Sequence, residues 1–550
     1  MNPSDLRGSA LLRSPLLNKG TAFSEEERTS LGLHGLLPPA VETLATQVTR
    51  AYATFAEQAS PIAKYAYLRA LQDHQEILFF ALLEAHLTEM LPIVYTPTVG
   101  EAVQRFSHMF EETRGLVLAL GTIDRARAIV ANHPQDDVRM MVVTDSSAIL
   151  GIGDQGYGGI GIAIGKLALY TVGGGLSPFH SVPVGLDVGT ERVDLRADPL
   201  YLGERHARLR GDAYLAFMDA FVDAVRARWP RAVVQWEDFA KDAAFAVMDR
   251  YRSVIPSFND DIQGTGAVAL SGLVNACRLR GEKLRDQVVV VHGAGAGGVG
   301  VATAIRSGIE REGLSREEAH ARIFVLDSRG LITRDRDVEP YKRPFAQDPA
   351  RIAGTNGKPA TLLETIRGAR ATVLVGLSGQ PGAFDEASIR AMAANTDRPI
   401  VFPLSNPTSS IEVEPAHVLE WTSGRAIVAT GSPFDPVVID GKSITIGQGN
   451  NAFIFPGLGL GAILAQVSAI TDAMVLEASY ALSEYTAETH ADSVYPPVAE
   501  LQAVSARVAS RVIQRALVDG VARIEARSKE AIDALVAENF WHPHYSAAAD

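Results

Sequence analysis

The chain of 550 residues is 47% hydrophobic and 21% charged, the balance of a packed globular protein, which excludes a disordered one. Its length predicts two to four domains, because a single hydrophobic core does not grow that large. The net charge of −13 argues against nucleic acid and anionic membranes as partners, since both attract basic surfaces.

Cysteine content and apolar stretches predict where the protein works. Cys277 is the only cysteine, so no disulfide can form within the chain, and a reducing compartment is the simple interpretation. The N-terminal residues carry charges and no apolar stretch of signal-peptide length. The longest apolar stretch, residues 452–467, is broken by Pro456 and three glycines and is shorter than the roughly 20 residues of a membrane helix. We therefore expect a soluble, cytoplasmic protein.

Residues 1–112 are predicted to form a helical N-terminal domain. Between Pro61 and Met90 the apolar residues recur at helical spacing, which predicts a long helix. Leu91-Pro92 is expected to end that helix, and residues 95–98 to form a turn-rich loop.

From Val138 onward, short apolar runs alternate with Gly-rich turns and helical stretches. Strands are predicted at residues 140–143, 182–186 and 232–236. Continuous apolar strands that alternate with helices indicate a parallel sheet covered on both faces. We assign this sheet to a second domain, residues 113–260, which the helical stretch 451–525 completes.

A second strand–helix series begins at Gln287. It is enough for a separate doubly wound domain of the Rossmann type, residues 261–450, and a polar, charged tail follows at 526–550. The fold class is therefore α/β, with a helical domain and two parallel-sheet domains. The predicted strands of the second series are 288–291, 323–326, 371–375, 400–402 and 426–428.

Gly293, Gly295 and Gly298 directly follow the first of these strands and match the dinucleotide-binding fingerprint. The glycines of that motif allow a tight turn, close approach of the pyrophosphate and packing of the next helix, whose N-terminal amides face the phosphates. The pattern alone is weak, because the chain holds 48 glycines and a second match begins at Gly156. Only the match at Gly293 combines a clean strand before it, a helix after it and a second strand that ends in an acid.

That acid, Asp327, is expected to bind the ribose hydroxyls of the adenosine, which favours NAD. It lies farther downstream than the usual ~20 residues, and a long helix over residues 299–321 would explain the distance. Ser328, Arg329 and Lys342 lie near it in sequence and would suit the 2′-phosphate of NADP. The choice between the two cofactors stays open.

Two acidic pairs, Glu237-Asp238 and Asp260-Asp261, suit a metal site. The first follows a predicted strand, and α/β enzymes bind ligands at the carboxyl ends of strands. The second lies just before a helix at the start of the dinucleotide domain. Carboxylates without His or Cys suit Mg²⁺ or Mn²⁺. Either pair alone would be interpreted as a solvated cap, but both together, flanked by aromatic residues, favour a metal and make residues 113–260 the substrate and metal domain.

Lys166 is a lone cation within the apolar stretch 160–169. It could extend out of an amphipathic helix into solvent. On a helix with little polar face, burial lowers the pKa of a lysine and makes it a usable base. The sequence alone leaves both interpretations open.

Together these segments resemble the malic enzyme family, over a span from about Asn18 to Arg515. So many distinct segments in the family's order leave little room for coincidence. The matching stretches are residues 18–23, 35–39, 92–100, 151–156, 236–239, 258–265, 404–408 and 447–451.

The resemblance implies a role for each candidate residue. Glu237, Asp238 and Asp261 would ligate Mn²⁺ or Mg²⁺. Lys166 would be the general base on the C2 hydroxyl of L-malate, with Asp260 beside it. The base would remove the hydroxyl proton as hydride leaves C2 for the nicotinamide, and the metal would stabilise the enolate as carbon dioxide departs.

By the same resemblance, Tyr95 would be the acid that protonates C3, while Asn406 and Asn451 would hold the substrate carboxylates. Tyrosine has an ordinary pKa near 10, so it could deliver a proton only if paired electrostatically with the lysine. The metal acids and the lysine are expected to converge beside the nicotinamide. The family resemblance also implies homodimers or homotetramers.

One departure concerns Ala148, where the family usually carries an arginine that grips a substrate carboxylate. Its loss should weaken malate binding or transfer the task to another cation. Malolactic enzymes, which release lactate rather than pyruvate, also lack this arginine, although they differ at the tyrosine loop and at residues 153–156. The malolactic reaction is therefore the close rival, and an inactive dinucleotide-binding regulator is the rival of another class.

Overall fold

The computed structural model describes residues 6–149, 151–352, 354 and 358–546. The chain divides into two compact units. The first unit comprises the described residues of 1–147, 154–234 and 537–550, and the second those of 148–153 and 235–536. The predicted boundaries 1–112, 113–260, 261–450 and 526–550 stay a prediction.

The first unit is helical at its N-terminal end, as predicted. Its helices are α1 (Gly8–Leu12), α2 (Glu25–Ser30), α3 (Leu44–Ala56), α4 (Pro61–His74), α5 (Glu76–Ala85), α6 (Leu87–Val94), α7 (Thr98–Gln104), α8 (Ala126–Ala131), α9 (Ile160–Val172), α10 (Val193–Ala197) and α11 (Gly211–Arg228).

The long helix predicted between Pro61 and Met90 is wrong in two respects. It is interrupted at Gln75 and His86, whose backbones leave the helical region with φ of −143° and −129°. Pro92 does not end the helix either, since α6 continues to Val94 with the proline inside it. The N–H of Tyr95 closes the last turn on the carbonyl of Leu91, and burial of the apolar residues of α6 offsets the hydrogen bond that the proline removes.

The strands of the first unit confirm the predicted parallel sheet. They are β1 (Leu116–Ala119), β2 (Met140–Thr144) and β3 (Ser181–Asp187), and β3 pairs in parallel with both of the others. All of β2 and nearly all of β3 are buried, which is why they read as continuous apolar runs. The strand β4 (Val233–Glu237) begins in the first unit and ends in the second.

The second unit contains the predicted doubly wound domain. Besides the end of β4, its strands are β5 (Ser257–Asn259), β6 (Val289–His292), β7 (Ile323–Asp327), β8 (Gly330–Leu331), β9 (Val373–Gly376), β10 (Ile400–Pro403), β11 (Ile427–Thr430), β12 (Val437–Ile439), β13 (Lys442–Ile444) and β14 (Gly447–Gln448). Its main sheet has the order β14-β11-β10-β9-β6-β7-β8, parallel except for β8.

Helices follow the strands of the second unit and continue to its end. They are α12 (Lys241–Tyr251), α13 (Thr265–Arg280), α14 (Ala296–Arg311), α15 (Arg316–His320), α16 (Leu362–Ala369), α17 (Glu386–Asn395), α18 (Pro415–Trp421), α19 (Phe455–Leu464), α20 (Asp472–Thr489), α21 (Leu501–Val518) and α22 (Lys529–Asn539), whose last residues belong to the first unit.

Two helical predictions are corrected by these bounds. The single helix expected over residues 299–321 is two helices, α14 and α15, because Gly313 adopts φ of 97° and Ser315 caps a new helix. The predicted polar tail contains α22, which buries Ile532 and Val536. Residues 547–550 of that tail lie outside the described residues. Among the described residues, no helix has the length and hydropathy needed to cross a membrane.

Candidate active site

Glu237, Asp238 and Asp261 of the second unit lie together, and we call them the acidic triad. Each offers one carboxylate oxygen, and the three oxygens lie within 4.8 Å of one another. Glu237 and Asp238 are buried, and Asp261 is half-buried. Three anionic groups this close repel one another unless a cation lies between them, and carboxylates suit a hard divalent ion. No other group of His, Cys, Asp or Glu with this spacing occurs in the part of the chain that the structure describes.

The backbone brings the acidic triad together. Glu237 ends β4, and Asp238 follows it in the left-handed region, with φ of 58°. That conformation costs a non-glycine residue about 1 kcal/mol. The N–H of Asp238 donates to Oδ2 of Asp261 at 2.8 Å, while the Gln235 amide donates to Oε2 of Glu237 at 2.7 Å. The strained residue is therefore held in place by the hydrogen bonds that orient the triad.

Asp260, beside the triad in sequence, is fully buried in a π-helical turn at Asp260–Gly264. The side-chain amide of Asn451 donates to Oδ2 of Asp260 and to Oγ1 of Thr265, both at 3.0 Å. The structure thus brings Asn451 and Asp260 together within the second unit. Two roles stay predictions: the binding of a substrate carboxylate by Asn451, and the assistance of the base by Asp260.

The glycine loop lies between β6 and α14, as the fingerprint predicts. A Cβ added to Gly298 would lie 1.7 Å from the carbonyl oxygen of Gly293, so the helix can pack on this loop only with glycine there. Apart from its chain neighbours, no described residue has an atom within 4 Å of the Cβ position of Gly295, which leaves that backbone open to a ligand. The first amides of α14 and the positive end of its dipole follow directly, which suits a pyrophosphate.

Asp327 ends β7 and takes part in a cluster of charges. Arg336 donates to both carboxylate oxygens, at 2.8 and 2.7 Å, and the N–H of Arg329 donates to Oδ1 at 2.9 Å. The Nζ atom of Lys342 lies 3.7 Å from Oδ2 of Asp327 and 2.8 Å from Oε2 of Glu339. Burial alone raises the pKa of the Asp327 carboxyl, but these partners outweigh it and hold that pKa below the ordinary value.

Asn406, the other predicted substrate residue, follows β10 in the second unit. Its Oδ1 accepts a 2.5 Å hydrogen bond from the Ser432 hydroxyl, which fixes the orientation of the amide. The side chain is half-buried.

The first unit holds Lys166 and Tyr95. Every residue of α9 is buried, and Lys166 is only 1% exposed, so the interpretation of a lysine that extends into solvent is wrong. Its Nζ lies 5.5 Å from the centre of the Tyr95 ring. The helix α9 approaches the end of α6 closely at Gly165, where a Cβ would lie 2.7 Å from the carbonyl oxygen of Val94. The structure therefore brings the Lys166 amine near the Tyr95 ring, while their electrostatic pairing in proton transfer stays a prediction.

Two residues that orient active-site acids were not predicted from the sequence. Arg336 lies in the segment after β8 and reaches back to Asp327 at the end of β7, and β8 itself has only two residues, too few for a recognisable pattern. Gln235 lies inside the apolar run of β4. Its position two residues before Glu237, which places both side chains on one face of the strand, was the one sign that it could contact that acid.

Comparison with known proteins agrees with this architecture. The family model described as "Malic enzyme, N-terminal domain" matches residues 72–252, and that described as "Malic enzyme, NAD binding domain" matches residues 262–517. A NAD-dependent malic enzyme of Pseudomonas savastanoi pv. phaseolicola is 47% identical over 98% of this chain and 97% of its own length. That of Pectobacterium carotovorum subsp. carotovorum is 46% identical over 98% and 96%.

Solved structures show the same fold. A malic enzyme of Entamoeba histolytica is 23% identical, with a TM-score of 0.58 over 92% of this chain and 91% of the other. A malic enzyme of Pyrococcus horikoshii is 25% identical, with a TM-score of 0.56 over 82% and 89%. The α/β fold, the dinucleotide-binding domain and the extent of the sequence matches define a class of decarboxylating dehydrogenases. This chain belongs to the malic enzyme family.

Proposed function

We propose that the protein oxidises and decarboxylates L-malate to pyruvate and carbon dioxide, with NAD as the hydride acceptor and Mn²⁺ or Mg²⁺ as the metal. The observation that carries this proposal is the acidic triad, three carboxylates within 4.8 Å in a chain of the malic enzyme family. The relatives named above are called NAD-dependent, which favours NAD over NADP.

The acidic triad fits a divalent ion in its donor chemistry. Glu237, Asp238 and Asp261 would hold the ion, and Gln235 would keep Glu237 oriented by the hydrogen bond already present. A divalent ion bound there supplies Lewis acidity, which stabilises negative charge on the substrate oxygen during decarboxylation.

The glycine loop and Asp327 fit a dinucleotide. The amides that open α14 would bind the pyrophosphate, and Asp327 would accept hydrogen bonds from the ribose hydroxyls. NAD supplies the hydride acceptor. Asn406 and Asn451 would orient the substrate by hydrogen bonds to its carboxylates.

Lys166 and Tyr95 would move the protons. In the proposed order, the Lys166 amine accepts the proton of the C2 hydroxyl as hydride leaves C2. After carbon dioxide departs, Tyr95 donates a proton to C3, and the proton held on Lys166 restores the phenol. The pairing of Nζ with the Tyr95 ring within the first unit supports this exchange.

The proposal is tested by one assay. The purified protein is mixed with L-malate and Mn²⁺, then with NAD or NADP in parallel, and reduced nicotinamide and organic acids are quantified. We expect one pyruvate for each NADH formed. Absence of reduced nicotinamide with both dinucleotides would refute the proposal.

Ala148 favours a second candidate, the malolactic reaction. The family arginine is absent there, and the side chain is exposed. This candidate predicts lactate without net NADH, so the organic-acid measurement of the same assay distinguishes it from the first.

A further inference from the structure

Glu412 is a buried carboxylate to which the proposed reaction gives no task. It lies in the second unit just before α18 and is 0% exposed. Its Oε1 accepts three hydrogen bonds, from the N–H of Ser378 at 2.7 Å, the hydroxyl of Ser378 at 2.8 Å and the hydroxyl of Ser405 at 2.5 Å. Burying a carboxylate is costly without hydrogen-bond donors, and these three donors offset that cost.

The donors belong to two neighbouring loops. Ser378 follows β9 and Ser405 follows β10, and these strands are adjacent and parallel. Ser405 Oγ also accepts the N–H of Gly379 at 2.9 Å, which ties the loops to each other. Both loops lie at the carboxyl edge of the sheet, where doubly wound domains bind their ligands. One of them continues into Asn406.

The first of these loops also supports the glycine loop. A Cβ on Gly293 would lie 2.4 Å from the carbonyl of Leu377 and 2.7 Å from the nitrogen of Ser378. The fingerprint glycine therefore rests directly on the peptide whose N–H binds Glu412. In addition, the N–H of Leu377 donates to the carbonyl of His292 at 2.8 Å. Glu412 thus binds the loops after β9 and β10, and the first of these packs directly against the glycine loop after β6.

We propose that Glu412 is a positioning residue for the dinucleotide. By fixing Ser378 and Ser405 it keeps the loops after β9 and β10 against the glycine loop, so that the cofactor meets a preformed surface and less loop ordering opposes binding. An ionised acceptor makes each of these hydrogen bonds roughly twice as strong as a neutral one would. The inference rests on the proposed function, because it requires that this sheet edge binds a dinucleotide.

The second oxygen makes a matched substitution available. Oε2 of Glu412 is buried and has no hydrogen-bond partner among the described residues. A Cβ on Gly376 would lie 2.6 Å from it, so the oxygen faces a glycine backbone. Glu412→Gln therefore keeps the shape and the accepting oxygen but removes the charge, while Glu412→Ala removes the acceptor altogether. Glu414, two residues on and exposed, provides the control Glu414→Ala.

The experiment measures NADH binding to the full-length protein by nucleotide fluorescence, with Mn²⁺ binding measured in parallel. We expect Glu412→Ala to weaken NADH binding at least about tenfold and Glu412→Gln to weaken it by a smaller factor. Glu414→Ala should bind NADH as the wild type does. Mn²⁺ affinity should be unchanged in all three variants, because the hydrogen bonds of Glu412 go to Ser378 and Ser405 rather than to the acidic triad. KM for NAD should rise more than kcat falls.

A double variant tests whether Glu412 acts through the serine. Ser405→Ala alone should weaken NADH binding, but in the Glu412→Ala background it should add little, since the bond is already lost. Additive losses would contradict the proposal. Wild-type-like NADH binding by Glu412→Ala would overturn the inference and leave the proposed function intact. Failure of the wild type to bind either NADH or NADPH would overturn both. If Glu412→Ala does not fold, the comparison of Glu412→Gln with Glu414→Ala decides.

Discussion

The backbone N–H of Ala148 donates a 2.9 Å hydrogen bond to the carbonyl oxygen of Asp238. Residue 148 is thereby fixed beside one member of the acidic triad, although its own side chain is exposed. The position at which the family usually carries an arginine therefore lies next to the proposed metal site. A substrate carboxylate there would meet a methyl group instead of a guanidinium.

Ala148→Arg is expected to restore a cationic partner for the substrate. A guanidinium–carboxylate pair is charge-assisted and commonly bidentate, so KM for L-malate should fall about tenfold. Initial rates at saturating NAD and Mn²⁺ measure this effect. Ala148→Leu, which adds bulk without charge, is the control and should not lower KM. If both substitutions raise KM alike, residue 148 does not face the substrate.

Asp261→Asn should abolish metal-dependent activity. It removes one anionic ligand from the triad and also weakens the acceptor of the Asp238 N–H. Mn²⁺ binding, followed by electron paramagnetic resonance, should weaken at least about 100-fold, and turnover should fall about 1000-fold. Asp249→Asn, at an exposed position on α12, should change neither. Unaltered Mn²⁺ affinity in Asp261→Asn would show that the triad is not the metal site.

The strands that the sequence predicted are those with a buried, uninterrupted apolar run. β2, β6, β7 and β10 are examples, since a parallel strand covered on both faces needs apolar residues throughout. The missed hairpin of β12 and β13 has no buried residue, and its one apolar run, Val437–Ile439, is short and partly exposed. The breaks at Gln75 and His86 also have no local signal, because neither residue is a helix breaker and tertiary packing sets their backbone angles.

Among the active-site residues too, those whose place depends on tertiary packing could not be predicted from local sequence. The triad acids could be predicted because each stands at a strand end or before a helix, so its place in the fold follows from local pattern. Glu412 could not, because Glu412 and Glu414 alternate with valine in one short segment and look equivalent. The fold buries the first and exposes the second, and the serines that bind Glu412 lie on different strands' loops.

Lys166→Met should remove the base while keeping a side chain of similar length in the buried helix. Turnover of malate should fall about 1000-fold, the usual range for loss of a general base. NADH binding should change little, because in the proposal the glycine loop binds the pyrophosphate and Asp327 the ribose. Lys283→Met, at an exposed position, is the control. Wild-type turnover in Lys166→Met would assign the base to another group.

Asp327→Asn should shift cofactor choice toward NADP. The carboxylate repels a 2′-phosphate, while Arg336 and Lys342, which now neutralise it, would become available to bind that phosphate. We expect kcat/KM to rise about tenfold with NADP and to fall about tenfold with NAD. Asp335→Asn, exposed in the same segment, should leave both values unchanged. Loss of activity with NAD and no gain with NADP would mean that the two cations do not face the adenosine ribose.

The half-buried ion pair of Asp154 and Arg208 should govern the stability of the first unit in acid. Arg208 donates to both oxygens of Asp154, at 2.9 and 2.7 Å, and the two side chains are 8% and 13% exposed. Burial raises the pKa of the Asp154 carboxyl, but the bonds from Arg208 and from two backbone N–H groups outweigh it and hold that pKa below its ordinary value of 3.8. A depressed pKa in the folded state stabilises the protein above the ordinary value, and this contribution is lost as pH falls through the folded value.

Asp154→Asn should therefore destabilise the protein by about 2 kcal/mol at pH 7, because it removes the charge to which the half-buried Arg208 donates two hydrogen bonds. Urea unfolding measures this loss. Below about pH 4 the wild type should lose stability more steeply than the variant, which no longer has the carboxylate to protonate. Asp124→Asn is the control, since Asp124 and Arg125 form an exposed pair at 4.0 Å that contributes little. Parallel acid dependence in the wild type and Asp154→Asn would show that other groups control acid unfolding.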